Sequence, residues 1–372
     1  MKTIIIDIAP PGLSPEELNH RMNELESLVS TYGGVTIVKR VQKKVTPDYR
    51  TFIGSGKLDE IIAVGSELGA ELLIIGNILK PSQVWNVNEH LRISKSKMKA
   101  WDRVDLILKI FALHAVSPES KLQIELAAIK HMGPRIFGMG MELSRQWWGW
   151  SGAMRGLWET NTEIMKRHLK EKERMIMEKL QTHERTRALH RENRKRKNLP
   201  TIGIVWYTNA GKSSLFNILT HKGVLAENKL FATLWTSVGK FWIGDNNTDG
   251  KEYLLNDTIG FIRDLPPDLI AAFTSTLEDS IESDLLLHVI DASDPWIAEK
   301  IRIVDETLDQ IWAKQERLYI FNKMDLLDEK SLSDVIRTYE KYSPIVVSTY
   351  SKTGVDALKI QIAQTLNKKL IA

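Results

Sequence analysis

The chain has 372 residues, too many for one ordinary domain, so we expect two or three. It contains no cysteine, which excludes disulfides, thiol nucleophiles and cysteine-ligated zinc. The net charge of +4 does not by itself indicate a nucleic-acid partner. No apolar run approaches the roughly 20 residues of a membrane-spanning helix. We therefore expect a cytoplasmic monomer without a membrane span.

The first 116 residues predict an N-terminal α/β domain. Apolar runs at residues 4–6, 35–38 and 72–75 predict strands, and segments of helical length separate them. Ser14, Pro15 and Glu17 predict a helix start, because Ser14 can cap the helix, Pro15 suits its first position and Glu17 completes a capping box.

Residues 117–199 predict a helical hairpin between two domains. Ser117 and Pro118 predict the start of its first helix. Residues 161–197 lack Gly and Pro and predict a second, long and highly charged helix. Between the helices, residues 138–160 are rich in Gly and Trp and predict an irregular loop.

The end of the second helix is strongly basic. Residues 185–197 hold seven basic residues and one acidic residue, a net charge of +6 that exceeds the charge of the whole chain. Such a run is either a solvated helix face or a contact to nucleic-acid phosphates, and the run alone favours neither interpretation.

Residues 200–372 begin with the pattern of a P-loop: a strand, a turn and a helix. In such a loop backbone N–H groups surround phosphates, the lysine reaches the β- and γ-phosphates and the serine binds Mg²⁺. We predict that the residues that bind phosphate are Asn209, Ala210, Gly211, Lys212, Ser213 and Ser214. The motif departs from its pattern at one position, because Trp206 replaces its first glycine.

Asp257 and Gly260 form a D-x-x-G turn after the next buried strand. We expect Asp257 to support Mg²⁺ through a water molecule and the Gly260 N–H to contact the γ-phosphate. D-x-x-G turns also occur by chance, so this motif has weight only beside the others.

Two further turns predict a guanine site. Asn322, Lys323 and Asp325 form an N-K-x-D turn, and Ser351 with Lys352 begins the last base-contacting loop. The Asp325 carboxylate can accept hydrogen bonds from N1–H and the 2-amino group of guanine, a donor pair that adenine lacks. Four motifs in this order, each after a strand, predict a doubly wound, mostly parallel GTPase domain that binds GTP or GDP with Mg²⁺.

Residues 54–57 also contain a Gly-Lys pair, Gly56-Lys57. Thr51 stands where the first glycine of a P-loop would be, so we interpret this segment as a structural turn and not as a second phosphate site.

Longer motifs extend these patterns and carry a family resemblance. They lie at residues 52–58, 102–108, 144–146, 155–160, 207–213, 229–234 and 257–266. With them the chain resembles the HflX family of translational GTPases over nearly its whole length. The resemblance implies a GTPase that binds the large ribosomal subunit and its RNA, and that splits stalled or idle ribosomes under stress.

The resemblance also implies an RNA-contacting loop inserted into ribosomal RNA, and it favours the RNA interpretation of the basic run. The residues expected to contact RNA are Arg145, Gln146, Arg155, Glu159, Arg194, Lys195, Arg196 and Lys197.

The expected catalytic groups are Lys212, Gly260 and Thr236. We assign Thr236 as the switch threonine that ligates Mg²⁺ in the GTP state, with Thr233 as the alternative. Phe261 stands where many GTPases have a glutamine that orients the attacking water. Intrinsic hydrolysis should therefore be slow, and a partner should complete the site.

The chain has eleven Trp against eight Tyr and nine Phe. Five of them, at 147, 148, 150, 158 and 206, stand where the motifs call for glycine, and Trp235 is a less certain sixth. Three explanations are open: a degenerate GTPase, a natural reshaping that tolerates tryptophan, or UGA codons that one bacterial code reads as Gly and another as Trp. If Trp206 blocks phosphate, the chain is instead a nucleotide-deficient RNA-binding protein. A GTPase of RNA modification or remodelling is a further alternative.

Overall fold

The computed structural model describes residues 1–115, 117–131, 155–196, 199–208, 210–220, 238–243, 250–257, 260–264, 266, 269 and 282–371. Within these ranges, only the backbone is described at 155–166, 190–191, 193–196, 257 and 368–371. None of the helices in these ranges is both long and apolar enough to cross a bilayer. The chain divides into two compact units, one formed by residues 1–182 and 266–272 and the other by 183–265 and 273–372.

The first unit contains a parallel sheet with the strand order β2-β1-β3-β4. Its strands and helices are β1 Lys2–Ala9, α1 Pro15–Tyr32, β2 Val35–Lys43, α2 Ser55–Leu68, β3 Leu72–Ile75, α3 Pro81–Ile93, β4 Lys99–Asp102, α4 Arg103–His114, α5 at 118–131 and α6 Arg155–Arg196. The predicted α/β class is confirmed, because each predicted strand lies in this sheet.

The start of α1 has the predicted capping box. The Ser14 hydroxyl accepts from the Glu17 N–H at 3.1 Å, and the Glu17 carboxylate accepts from the Ser14 N–H at 2.8 Å. Two of the N–H groups that a helix start leaves without partners are thereby satisfied. Gly33 ends the helix in the left-handed conformation, with φ of 91°.

The segment with the second Gly-Lys pair is the start of α2. Gly54 precedes the first turn, and the Lys57 ammonium lies 2.7 Å from the Glu60 carboxylate on the same helix. These contacts favour the structural interpretation of the segment.

The Asp102-Arg103 pair also has structural partners. Asp102 caps α4 by accepting from the Asp105 N–H at 2.8 Å, and Arg103 forms a buried ion pair with Glu24 of α1. His131 lies 3.3 Å from Asp102 and joins this buried polar cluster.

Helices α5 and α6 contact each other as a hairpin requires. The Lys172 ammonium of α6 lies 2.6 Å from the Glu125 carboxylate of α5, and Ile176 is buried. The predicted loop boundary at residue 160 is wrong, because α6 begins at Arg155. Arg155 and Glu159 therefore lie on the helix. Gly156 costs a helix only about 1 kcal/mol, which the long helix absorbs.

The second unit contains a sheet with the strand order β10-β9-β8-β5-β7-β6, parallel except for the pairing of β6 with β7. Its elements are β5 Thr201–Trp206, α7 Lys212–Thr220, β6 Val238–Ile243, β7 Lys251–Asp257, β8 Leu285–Asp291, α8 Ile297–Gln310, β9 Arg317–Asn322, α9 Glu329–Thr338, β10 Ile345–Val346 and α10 Val355–Ile371. The predicted P-loop domain with a mostly parallel sheet is confirmed. The carboxyl ends of β5, β7 and β9 meet at one sheet edge, where ligands bind in such folds.

His288 of β8 is buried in this unit beside Tyr319, with ring centroids 5.3 Å apart. Burial and the nearby positive charge of Arg317 lower the pKa of His288 to about 3. The imidazole is therefore neutral at pH 7.

We predict that His288 makes the second unit sensitive to acid. The unfolded chain takes up this proton near pH 6.5 and the folded chain only near pH 3, so the free energy of unfolding falls as pH drops through this window. In urea unfolding, His288→Gln should lose less stability than the unchanged chain between pH 7 and pH 4. His168→Gln, at an exposed position on α6, is the control. Equal acid sensitivity of His288→Gln and the unchanged chain would contradict the prediction.

Candidate functional site: a guanine nucleotide pocket

The predicted phosphate loop connects β5 to α7. Gly211 has φ of 87°, which favours glycine, and Lys212 begins α7 with a side chain only 4% exposed. The first N–H groups of α7 and its positive dipole end are thus available for an anion at this edge of the sheet. Ser213 and Ser214 lie in the same first turn and are half-buried.

Asn322 of the N-K-x-D turn joins three loops. Its side-chain amide donates to the Ala210 carbonyl at 2.9 Å, and its side-chain oxygen accepts from the Thr349 N–H at 3.0 Å. Asn322 is fully buried, so both polar ends are satisfied inside the protein. A Cβ on Gly211 would overlap the Asn322 amide, which gives a second reason for glycine there. The residue that the motif assigns to nucleotide binding therefore also holds the loops in register.

The turns after β9 and β10 carry the residues predicted to contact the base. Asp325 accepts a hydrogen bond from the buried Ser348 hydroxyl, which in turn accepts from the Ser351 N–H at 3.1 Å. The Asp325 carboxylate is thereby held in one orientation while its side chain stays exposed. A carboxylate fixed in this way can face the two donors on the guanine edge.

Lys323 and Lys352 flank this side of the pocket in left-handed conformations, with φ of 66° and 62°. The Lys323 ammonium lies 2.6 Å from the Asp291 carboxylate at the end of β8. Lys352 is exposed.

The D-x-x-G segment lies beside the phosphate loop. β7 pairs with β5, and the chain pairs again beyond it, because Phe261 N–H donates to the Trp206 carbonyl at 2.9 Å and Thr208 N–H donates to the Phe261 carbonyl at 3.0 Å. These bonds bring Gly260 to the start of the phosphate loop. The Phe261 side chain is a buried phenyl ring, which has no polar group to offer to a water molecule.

Trp206 is the one residue of the phosphate-loop motif that departs from the pattern, and it is buried in the apolar core of the second unit. The Lys212 ammonium lies 4.3 Å from the centroid of the Trp206 ring. The ring also lies against Gly260, where an added Cβ would come within 2.6 Å of the indole nitrogen. Trp206 is therefore in contact with the two residues, Lys212 and Gly260, that the motifs assign to the terminal phosphate.

Several predicted residues lie outside the described part of the chain: Asn209, Thr233, Thr236, Arg145, Gln146 and Lys197. The side chains of Asp257, Arg155, Glu159, Arg194, Lys195 and Arg196 also lie outside it. The sequence prediction missed three residues that hold the described site together, Asp291, Ser348 and Thr349. Their only signal was a position at or just after a strand end, facing the motif residues.

Three known families match successive parts of the chain. They are described as "GTP-binding GTPase N-terminal" at residues 19–112, "GTP-binding GTPase Middle Region" at 114–194 and "50S ribosome-binding GTPase" at 201–323.

Whole proteins match as well. GTPase HflX of Caldanaerobacter subterraneus subsp. tengcongensis is 40% identical over 357 residues, 96% of this chain and 79% of the relative. GTPase HflX of Escherichia coli is 38% identical over 309 residues, 83% of this chain and 70% of the relative. The crystal structure of SsGBP in complex with GDP has a TM-score of 0.55 and 27% identity, with 99% of both chains covered.

We predict that Asn322→Ala weakens GDP binding by about 10-fold or more. The change removes two buried hydrogen bonds and leaves the Ala210 carbonyl and Thr349 N–H without their partner, at a cost of about 1 kcal/mol or more for each. Isothermal titration with GDP measures the effect. Asn88→Ala is the matched control, because Asn88 makes two similar bonds to Ala100 in the first unit, and its loss should leave GDP affinity unchanged. Unchanged GDP binding by Asn322→Ala would contradict the assigned role.

Proposed function

The chain belongs to the HflX family of GTPases, and from this membership we propose that it binds the large ribosomal subunit and uses GTP to split stalled or idle ribosomes under stress. It binds guanine nucleotides and hydrolyses GTP to GDP and phosphate. The observation that carries the proposal is the family match in all three regions of the chain, including the domain described as a 50S ribosome-binding GTPase.

The chain's own residues suit the chemistry of phosphoryl transfer. Lys212 at the start of α7 would stabilise charge on the β- and γ-phosphates, and the Gly260 N–H would donate to the γ-phosphate. Mg²⁺, when bound, supplies further charge stabilisation at the phosphates. Ser213 and Thr236 would ligate it, and Asp257 would hold it through water. The residues that select the base are Asn322, Lys323 and Asp325 with Ser351 and Lys352.

A ribosomal partner would supply the group that orients the attacking water. Phe261 occupies the position next to Gly260 where a water-orienting glutamine is common, and its buried ring makes no hydrogen bond to water. Among the described residues of the pocket, no other side chain takes that role. We therefore propose that hydrolysis is slow in the free protein and is stimulated when the large subunit completes the site.

The basic end of α6 supports an RNA partner. Arg185 is exposed and Arg187 is half-exposed on this helix, and the run continues through Arg194, Lys195, Arg196 and Lys197. Structured RNA is recognised largely through shape and phosphate contacts, which such a cluster supplies. Arg145, Gln146, Arg155 and Glu159 are proposed to contact the same RNA near the N-terminal end of α6. The protein is proposed to act as a cytoplasmic monomer.

We predict that isolated large subunits raise the rate of GTP hydrolysis at least 10-fold, because the partner orients the attacking water. Phosphate release with large subunits, with small subunits and with neither measures this effect. Sedimentation of intact ribosomes with the protein and GTP then tests splitting. Turnover that large subunits leave unchanged would contradict the proposal. Stimulation without splitting would favour a GTPase of RNA modification or remodelling.

We predict that neutralising the basic run weakens binding to large subunits and lowers its salt dependence. The variant changes Arg194, Lys195, Arg196 and Lys197 to Gln. For every phosphate that the variant no longer neutralises, the slope of log affinity against log salt should fall by about 0.7–0.9. A control variant neutralises four exposed cations of the second unit, namely Arg302, Lys330, Arg337 and Lys341. A salt slope that stays the same in the first variant would exclude the basic run from the interface.

A further inference from the structure

Two tryptophans in the described part of the chain occupy positions suited to glycine, for independent reasons. Trp206 stands at the first glycine position of the phosphate loop. Trp312 follows helix α8 in the left-handed conformation, with φ of 61°.

The Trp206 indole lies between two groups that serve the terminal phosphate of GTP. The ammonium of Lys212 faces the ring at 4.3 Å, and Gly260 lies against the indole nitrogen. Cation–π contact with the ring thus replaces the phosphate contact that the lysine makes in a P-loop. The residue is only 5% exposed and packs into the apolar core at the end of β5. A glycine at this position would remove the ring from beside Lys212 and Gly260.

Trp312 closes α8 in a Schellman motif. Its N–H donates to the Asp309 carbonyl at 3.1 Å, and the Ala313 N–H donates to the Leu308 carbonyl at 3.0 Å. Gly33 occupies the equivalent left-handed position at the end of α1. Lys95 occupies the equivalent position after α3, with φ of 54°. A residue with a side chain can therefore adopt this conformation, but at a cost in backbone strain.

Burial gives no compensation for that strain at Trp312. Its side chain is 74% exposed, and its ring lies beside the Lys314 ammonium, 5.5 Å from the ring centroid. A large apolar side chain in the left-handed region with most of its surface in water is the opposite of what the position favours.

Trp101 shows what an ordinary tryptophan of this protein looks like. It lies on β4, is half-buried, and packs edge-to-face on Tyr32 with ring centroids 5.4 Å apart. The unfavourable environments of Trp206 and Trp312 are therefore specific to those two positions and are not shared by Trp101.

We propose that residues 206 and 312 are glycine in the protein that its own cell makes, encoded by UGA codons which that cell reads as glycine. The inference for residue 206 rests on the GTP binding of the family. The inference for residue 312 rests on backbone geometry alone. Neither inference depends on the proposed ribosomal role. A glycine at residue 206 completes a pocket for a guanosine triphosphate.

The gene and the native protein test the proposal directly. Codons 206 and 312 should be UGA, whereas codon 101 should be UGG. Peptide sequencing of the protein isolated from its own cells should find glycine at residues 206 and 312 and tryptophan at residue 101. Tryptophan in the native peptide at 206 or 312, or a UGG codon at either, overturns the proposal for that position.

Recombinant variants test the physical argument separately. Relative to the chain with tryptophan at this position, Trp206→Gly should bind a non-hydrolysable GTP analogue about 10–100-fold more tightly, with a smaller gain for GDP, because charge-assisted contacts to the terminal phosphate are regained. An unchanged preference between the two nucleotides overturns the argument at 206. If Trp206→Gly binds the analogue but large subunits do not stimulate its turnover, the ribosomal proposal fails and this one stands.

Trp312→Gly should raise Tm by about 2–4 °C and leave nucleotide affinity unchanged, because it removes left-handed strain outside the pocket motifs. The matched control Trp101→Gly should lower Tm, since it removes a packed ring. A lower Tm for Trp312→Gly overturns the argument at that position.

Discussion

The nucleotide pocket depends on the buried side chain of Asn322. Loops that are far apart in sequence form one pocket only if something holds them against each other, and one amide does this through a donor bond to Ala210 and an acceptor bond from Thr349. Because the amide lies against Gly211, the phosphate loop cannot carry a side chain at that point. The loops that the motifs assign to the base and to the phosphates are therefore joined through Asn322, so a change at this residue should disturb both.

A second constraint comes from the pairing of Phe261 with the end of β5. Backbone hydrogen bonds to Trp206 and Thr208 fix the D-x-x-G segment beside the phosphate loop. The same pairing brings Gly260 against the side chain of Trp206. The predicted guanine side is thus held by hydrogen bonds among Asn322, Asp325, Ser348 and Thr349, whereas the predicted phosphate side contains the one residue, Trp206, that departs from the motif.

Much of this architecture could be predicted from the sequence because its signals are local. The capping box at Ser14 and the strand at residues 72–75 rest on neighbouring residues, and the structure has both where they were expected. The four motifs of the GTPase domain are equally local, and their described residues follow strands of the second sheet. The start of α6 was missed because a single glycine only weakly opposes a helix. The contacts of Ser348 and Asp291 were missed because they join residues distant in sequence. The left-handed backbone at Trp312 was missed because a Schellman motif normally carries its signal in a glycine.

The buried ring of Phe261 has a consequence for the cell's use of GTP. A phenyl ring has no polar atom with which to orient water, and the backbone bonds of Phe261 to β5 hold this residue next to Gly260. If the ribosome supplies the missing group, the consumption of GTP follows the number of engaged ribosomes and not the amount of protein. A cell could then keep a large reserve of the protein through long starvation with little drain on its nucleotide pool.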